Sequence, residues 1–321
     1  MRIPVVDLKP FLYGAPSERL GVARGFGDAL ETTGFAVIVG HDVPEALASE
    51  TYATMKAYFA LPLEAKLRDS PPEKTKGRGY LPIGIESVAK TLAGETLPDL
   101  CEALVFPNPH RHFGGPQGAM IWPREPTELQ PRVEAWTRAI VSLSGSLTRL
   151  SALALDLSED YFEPWYSDPS IALRFVNYPD QVDPPAPGQL RYGAHHDYGG
   201  LTILRHERAP GGLEICSADG IWGEAGVVPE SFVINVGELL SRWTNGRWRS
   251  TLHRVSNPDR SLTGSTARLS MVAFTGPNEN STIAALPSCV GADRPPQFDP
   301  VVAGAFIRAK LTASMDLSAR T

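Results

Sequence analysis

Apolar residues recur at helical spacing in the first half of the chain and give way to short alternating runs in the second. Leu20, Ala23, Phe26 and Leu30 share one face of a segment spanning residues 17 to 30, with Ser17 placed to cap it. The run "TTGFAVIVGHDVP" reads as a short apolar strand ending in a turn, and a second helix follows Pro44 with Leu47, Thr51, Met55 and Phe59 on one face. "SPPEKTKGRGYLPIG" is rich in Pro, Gly and charge and predicts a loop. The longest stripe, Leu129, Val133, Trp136, Ile140, Leu143, Leu147 and Leu150, predicts a core-facing helix from about Thr127 to Leu155.

From residue 170 onward the period changes. "IALRFVNYP", "GLTIL", "GLEICSADGIWGEA", "SFVINVG", "TLHRVSN" and "ARLSMVAFTG" are short strand-like pieces separated by Gly, Pro, Asn and Asp. Such spacing predicts a β-barrel or jelly roll and not a βαβ sheet. "FDPVVAGAFIRAKLTASM" predicts one more helix, beginning near Pro300. The expected organisation is one domain over residues 1–321, mainly β with flanking helices. A mostly helical part (1–165) packs on a jelly-roll core (166–290), and a C-terminal helix lies in 291–321. A boundary near residue 100 is the alternative.

Composition excludes several classes. The chain is 42% hydrophobic and 21% charged, and no apolar run approaches the roughly 18 residues of a membrane helix. Pro4 and Asp7 interrupt any secretion-type apolar region at the N-terminus, so a cytoplasmic location is expected. Cys101, Cys216 and Cys289 are widely spaced and odd in number, which argues against a disulfide framework or a thiolate zinc site. A net charge of −6 with no basic block argues against a nucleic-acid surface.

The chemistry concentrates in "RYGAHHDYGGLTIL", residues 191–204. On a strand, residues i and i+2 point to the same side, so His195 and Asp197 share a face and His196 points away from it. An imidazole and a carboxylate together are two of the three ligands of the two-histidine, one-carboxylate triad that holds non-haem Fe(II). His41, His110, His112 and His206 lie in turns, loops or strand ends, whereas His253 inside "STLHRVSN" is best placed to supply the third ligand. Arg268 and Ser270 form another i, i+2 pair on an expected strand, and a guanidinium beside a hydroxyl suits capture of a carboxylate.

At this point the chain resembles the iron- and 2-oxoglutarate-dependent oxygenases, specifically the isopenicillin N synthase-like branch. The resemblance runs through "IPVVDL", "GFAVIVGHDVP", "YFALPLEAK", "RGYLP", "RFVNYP", "HHDYGGLTIL", "GGLEI", "DGIW", "FVINVGELLSRWTNGRWRSTLHRVSNP" and "RLSMVAF", in the same order. It implies a distorted double-stranded β-helix, iron ligands at His195, Asp197 and His253, and co-substrate contacts at Arg268, Ser270 and Tyr178. It also implies Fe(II), 2-oxoglutarate and O2 as cofactor and co-substrates, with succinate and CO2 released as a small-molecule substrate is oxidised. Hydroxylation, desaturation, epoxidation and ring formation are all within the family's chemistry.

The chain departs from the family at Val176, where an asparagine is common, at His196 between the two ligands, and in the lengthened connection "SNPDRSLTGSTA". The resemblance puts the substrate wall at the loop from Arg78 to Ile85 and at the C-terminal helix near Phe306 and Lys310, and makes Trp243 and Trp248 scaffold. Arginine outnumbers lysine 23 to 7, a bias compatible with a GC-rich bacterial genome and with secondary metabolism. A monomer or weak homo-oligomer with no membrane or nucleic-acid partner is expected. Two other readings stay open: an oxidase of the isopenicillin N synthase type that needs no 2-oxoglutarate, and a non-catalytic jelly-roll binding protein.

Overall fold

The computed structural model describes residues 2–71, 78–93, 96–112 and 120–315. Its larger sheet contains β1 (Val5–Asp7), β2 (Phe35–Val39), β3 (Gly79–Leu81), β4 (Glu102–Pro107), β5 (Ser170–Tyr178), β7 (Leu201–His206), β10 (Phe232–Val236) and β12 (Arg268–Gly276). The smaller sheet contains β6 (Tyr192–His195), β8 (Leu213–Cys216), β9 (Trp222–Glu224) and β11 (His253–Val255). A short ladder joins β13 (Thr282–Ile283) to β14 (Val301–Val302). The helices are α1 (Lys9–Tyr13), α2 (Pro16–Thr32), α3 (Glu45–Phe59), α4 (Leu63–Leu67), α5 (Lys90–Ala93), α6 (Leu129–Ala154), α7 (Glu238–Trp243) and α8 (Ala303–Met315).

The strand orders are β1-β2-β10-β7-β12-β5-β4-β3 and β6-β11-β8-β9. Apart from the parallel β1–β2 pair, neighbours in both sheets are antiparallel. Residues from both sheets line one internal chamber, the jelly-roll arrangement expected from the short alternating runs. The helices α2, α3 and α6 cover the outside of the larger sheet, where Trp136 packs at a tilt against Phe232 of β10.

Helix α6 follows its sequence pattern closely: Leu129, Val133, Trp136, Ile140, Leu143, Leu147 and Leu150 are all buried. Each such side chain contributes about 1.5–3 kcal/mol by leaving water, which makes α6 the main apolar anchor of the helical layer. Its end is set at Asp156, whose φ of 59° leaves the right-handed helical region. The start of α2 differs from expectation. Pro16, preset for the first helical position, begins the helix after Ala15, so Ser17 lies in the first turn and does not cap it. Ala23, Phe26 and Leu30 are buried, but Leu20 is 43% exposed.

The loop expected over "SPPEKTKGRGYLPIG" contains β3, because Tyr80 has a buried place beside Glu102 and pairing with β4 overrides local composition. Residues 72–77 of that stretch lie outside the described residues. The C-terminal helix begins at Ala303, since Val301 and Val302 are occupied in the ladder with β13; its expected end, 316–321, is also outside the described residues. Trp243 and Trp248 are buried scaffold: Trp243 meets Phe162 edge-on and stacks over Tyr166, and Trp248 packs against Phe26. Among the described residues, no helix is long and apolar enough to cross a membrane.

Candidate metal and co-substrate site

Strand β6 ends at His195, and the alternation continues one step beyond it, so Asp197 turns inward beside His195. Strand β11 pairs with β6 in the register His253↔His195 and brings the third side chain across. The three residues are buried and offer ligand atoms that all lie within 4.8 Å of one another. Asp197 Oδ1 sits 3.5 Å from His195 Nε2 and 3.7 Å from His253 Nε2. Among the described residues this is the sole such group of His, Cys, Asp and Glu.

Hydrogen bonds leave one potential ligand atom of each residue uncommitted. His195 Nδ1 lies 2.9 Å from the Gly193 carbonyl and His253 Nδ1 lies 3.0 Å from the Thr251 carbonyl. A carbonyl can only accept, so each Nδ1 carries a proton, and in the neutral imidazole the lone pair is then on Nε2, the atom that faces the shared centre. Asp197 Oδ2 accepts from Thr202 Oγ1 and from Asn235 Nδ2, both at 2.6 Å, which leaves Oδ1 free. Burial lowers the His253 pKa to about 4, reinforced by His195, so this imidazole is neutral at neutral pH. Burial alone would raise the Asp197 pKa, but His253, His195 and the Thr202 hydroxyl together hold the carboxyl well below its ordinary range. Neutral Nε2 atoms around an ionised carboxylate are the donor set that suits Fe(II).

The segment after the ligands is fixed by close backbone approach. The first amides of α7 donate to it, Glu238 N–H to the Asp197 carbonyl at 2.7 Å and Leu239 N–H to that of Tyr198 at 3.1 Å. A Cβ on Gly237 would stand 2.4 Å from the Gly199 carbonyl oxygen, so the "DYGG" turn and α7 approach this closely only with glycine at 237.

Across the chamber, β12 pairs with β5 in the register Arg268↔Tyr178 and Ser270↔Val176, which puts all four on the wall of one cavity with His195, Asp197 and His253. Arg268 is 3% exposed and has no carboxylate partner among the described residues. Its Nη1 donates to the Gly211 carbonyl at 3.1 Å, its Nη2 donates to His206 Nδ1 at 3.0 Å, and its buried Nε has no partner. Burial pushes the Tyr178 phenol pKa up, so its hydroxyl stays protonated and able to donate. A guanidinium, a hydroxyl and a phenol converge where a buried positive charge lacks a counter-ion, and a carboxylate fits that gap. Val176 adds no polar contact.

A second cavity of about 150 Å³ opens beside the ligands. Its apolar wall includes Val88, Phe274, Ile307 and Leu311. The expected wall residues are corrected here. Tyr80 is 1% exposed and packs in the core, Phe306 packs against the core, and Lys310 pairs with Glu238 at 2.6 Å. No residue from Arg78 to Ile85 lines this cavity; Glu86 and Val88, just beyond that loop, do, and the C-terminal helix contributes through Ile307, Leu311 and Ser314. Helical spacing puts Ile307, Leu311 and Ser314 on one face and Phe306 off it, while Lys310, at the edge of that face, is drawn to Glu238. His196 is likewise not turned outward: it is half-buried and borders this cavity, with the Ser250 hydroxyl 3.5 Å from its Nδ1.

Two features escaped the sequence reading. Arg174 on β5 makes paired contacts with Glu86, Nη1 to Oε1 at 2.9 Å and Nη2 to Oε2 at 2.5 Å, on the cavity wall. Thr202 and Asn235 hold the ligand carboxylate. A usable signal existed for two of these: Asn235 in "FVINV" and Arg174 in "IALRFV" are single polar residues inside apolar strands, and a buried polar group requires a partner.

Comparison with known proteins agrees with this geometry. Residues 3–125 match the family model described as non-haem dioxygenase in morphine synthesis N-terminal, and residues 167–277 match the 2OG-Fe(II) oxygenase superfamily. A homoarginine-6-hydroxylase of Oryza sativa is 31% identical over 79% of this chain and 81% of its own. The validamycin A dioxygenase of Streptomyces hygroscopicus is 30% identical over 81% of this chain and 73% of its own. A full-length Neurospora crassa protein, crystallised in complex with alpha-KG and thymine, superposes with a TM-score of 0.84 at 26% identity, covering 97% of this chain and 96% of that one. The chain therefore belongs to the 2OG-Fe(II) oxygenase superfamily and is an Fe(II)/2-oxoglutarate-dependent dioxygenase, of which the isopenicillin N synthase-like branch is a fitting part.

Proposed function

We propose that His195, Asp197 and His253 hold Fe(II), and that the far carboxylate of 2-oxoglutarate pairs with Arg268, assisted by the hydroxyls of Ser270 and Tyr178. The observation that carries this reading is Arg268, 3% exposed and without a carboxylate partner among the described residues, in the chamber that the three ligand residues also line. An unpaired buried charge costs several kcal/mol, and a dianionic co-substrate removes that cost on binding. Iron supplies O2 activation when bound, with decarboxylation of 2-oxoglutarate to succinate. The chain's own residues keep two imidazole nitrogens and one carboxylate oxygen turned toward one another in a buried chamber.

The substrate is a small molecule, which we assign to the cavity of about 150 Å³ next to the ligands. Apart from the ligand triad, the fixed charges on its wall are Glu86 and Arg174, and they neutralise each other. A wall balanced in this way favours a substrate with an apolar body that is uncharged where it meets the pair. Homoarginine, validamycin A and thymine, named for the matched proteins, are unlike one another, so the centre carries over and the substrate does not. Our reading is of a single-domain, cytoplasmic enzyme, monomeric or weakly homo-oligomeric, that hydroxylates, desaturates, epoxidises or cyclises a metabolite of secondary metabolism. The test is succinate formation that requires Fe(II), 2-oxoglutarate and O2 together; oxidation of the substrate without 2-oxoglutarate would point to the oxidase alternative.

A further inference from the structure

Arg268 raises a question of aim. A guanidinium on a flexible stem must be held in one direction to meet a carboxylate, yet anchoring it with another carboxylate would cancel the charge it offers. The structure meets both requirements with uncharged acceptors: the Gly211 carbonyl takes Nη1 at 3.1 Å, and the one side chain among them, His206, takes Nη2. His206 ends β7 and faces Ser270 directly across the β7–β12 ladder, and its Nδ1 receives Arg268 Nη2 at 3.0 Å. Arginine has N–H donors and no acceptor, so Nδ1 must present its lone pair and the imidazole proton lies on Nε2. The Glu207 carbonyl is also near Nδ1, at 3.3 Å, but a nitrogen whose lone pair is engaged by Arg268 cannot donate there; the shorter, charge-assisted contact is the bond. The carboxylate that acts electrostatically on Arg268 is engaged elsewhere: Glu207 pairs with Lys56 at 2.5 Å and accepts from the Leu269 amide at 3.0 Å.

We propose that His206 is the positioning residue for Arg268, an uncharged acceptor that fixes the direction of the guanidinium while leaving its positive charge available to the co-substrate. Burial, aided by the Arg268 charge, lowers the His206 pKa to about 4, consistent with a neutral ring in ordinary buffers. The inference rests on the reading of Arg268 as the group that binds the far carboxylate.

The test uses the full chain loaded with Mn(II) without O2 and titrated calorimetrically with 2-oxoglutarate, and separately with oxalate, which chelates a metal but lacks the far carboxylate. His206→Leu removes the acceptor and should weaken 2-oxoglutarate about tenfold while leaving oxalate unchanged. His206→Gln restores a neutral acceptor and should stay within about threefold of wild type. His206→Glu keeps an acceptor but adds a negative charge, and should bind 2-oxoglutarate less well than the Leu variant. Wild-type affinity in His206→Leu, equal losses for 2-oxoglutarate and oxalate, or undiminished affinity in His206→Glu would each overturn the proposal. If the Leu variant does not fold, the Gln and Glu variants decide it alone. Arg268→Ala separates the two levels. If that change leaves 2-oxoglutarate binding intact, the underlying reading fails; if it weakens binding while the His206 series does not, only this inference fails.

Discussion

Replacing Asn235 by leucine, a residue of similar shape, removes one of the two donors to Asp197 Oδ2, each at 2.6 Å, and leaves the ligand oxygen Oδ1 without a direct change. A hydrogen bond to a buried carboxylate contributes about 1.5–3 kcal/mol, so the metal-free protein should lose roughly 2 kcal/mol, or about 3 °C in melting temperature for a chain of 321 residues. Metal affinity should fall as well, because Asp197 loses the contact that fixes its rotation; changes to partners of metal ligands typically cost about 10–100-fold. Calorimetric titration with Mn(II), a redox-stable substitute for Fe(II), measures the second quantity, and thermal unfolding in chelator measures the first. Thr202→Val removes the other donor to the same oxygen, so the two changes should couple by about 0.5–3 kcal/mol and not add. If Asn235→Leu bound Mn(II) within twofold of wild type, the argument that these two residues hold the ligand carboxylate would be refuted.

Arg268→Ala should raise the dissociation constant for 2-oxoglutarate about 30–150-fold, from loss of roughly 2–3 kcal/mol of buried charge-assisted contact, while Mn(II) affinity measured without 2-oxoglutarate stays the same. Loss of metal binding in that variant would show that Arg268 acts on the fold and not on the co-substrate. Asp99 gives a pH prediction: it accepts from the amides of Val88 at 2.9 Å and Gly193 at 2.8 Å, and burial raises its pKa from 3.8 to about 6. A folded-state pKa above the unfolded one means a stability contribution fully present below about pH 4 and lost as pH rises through 6, a change of about 2–3 kcal/mol. Asp99→Asn should flatten this dependence in denaturant unfolding at pH 4.5 and 7; parallel curves for variant and wild type would count against it.

Much of this was legible in residue pattern because the relevant forces are local. The α6 stripe, the i, i+2 geometry of His195 with Asp197 and of Arg268 with Ser270, and the change to short alternating runs all follow from periodicity, and the structure keeps them. Pattern alone ranks His253 first among the histidines, and the β11–β6 register supplies the reason. What was not legible depends on pairing between distant segments. Strand β3 emerges from a Pro- and Gly-rich stretch because β4 offers it a partner, and the Glu86–Arg174 pair joins residues 88 positions apart. Phe306 and Lys310 are the residues expected on the cavity wall, but the neighbouring face of α8 turns inward, since residue spacing fixes a stripe and packing fixes its orientation. His206, an ordinary strand-end histidine in sequence, acquires its neighbour only when β7 and β12 pair.

The central claim is that the His195, Asp197 and His253 cluster is the iron site of a 2-oxoglutarate-consuming enzyme, and the most direct measurement is succinate produced from 2-oxoglutarate under O2 with Fe(II) and ascorbate. The wild-type chain should form succinate at a rate that disappears with chelator, without O2, or in His195→Ala, while His195→Ala remains folded by circular dichroism. Succinate formation that persists at the wild-type rate in His195→Ala, or that is absent from iron-loaded wild type across a panel of amino acids, peptides, terpenoids and aromatic metabolites, would contradict the account.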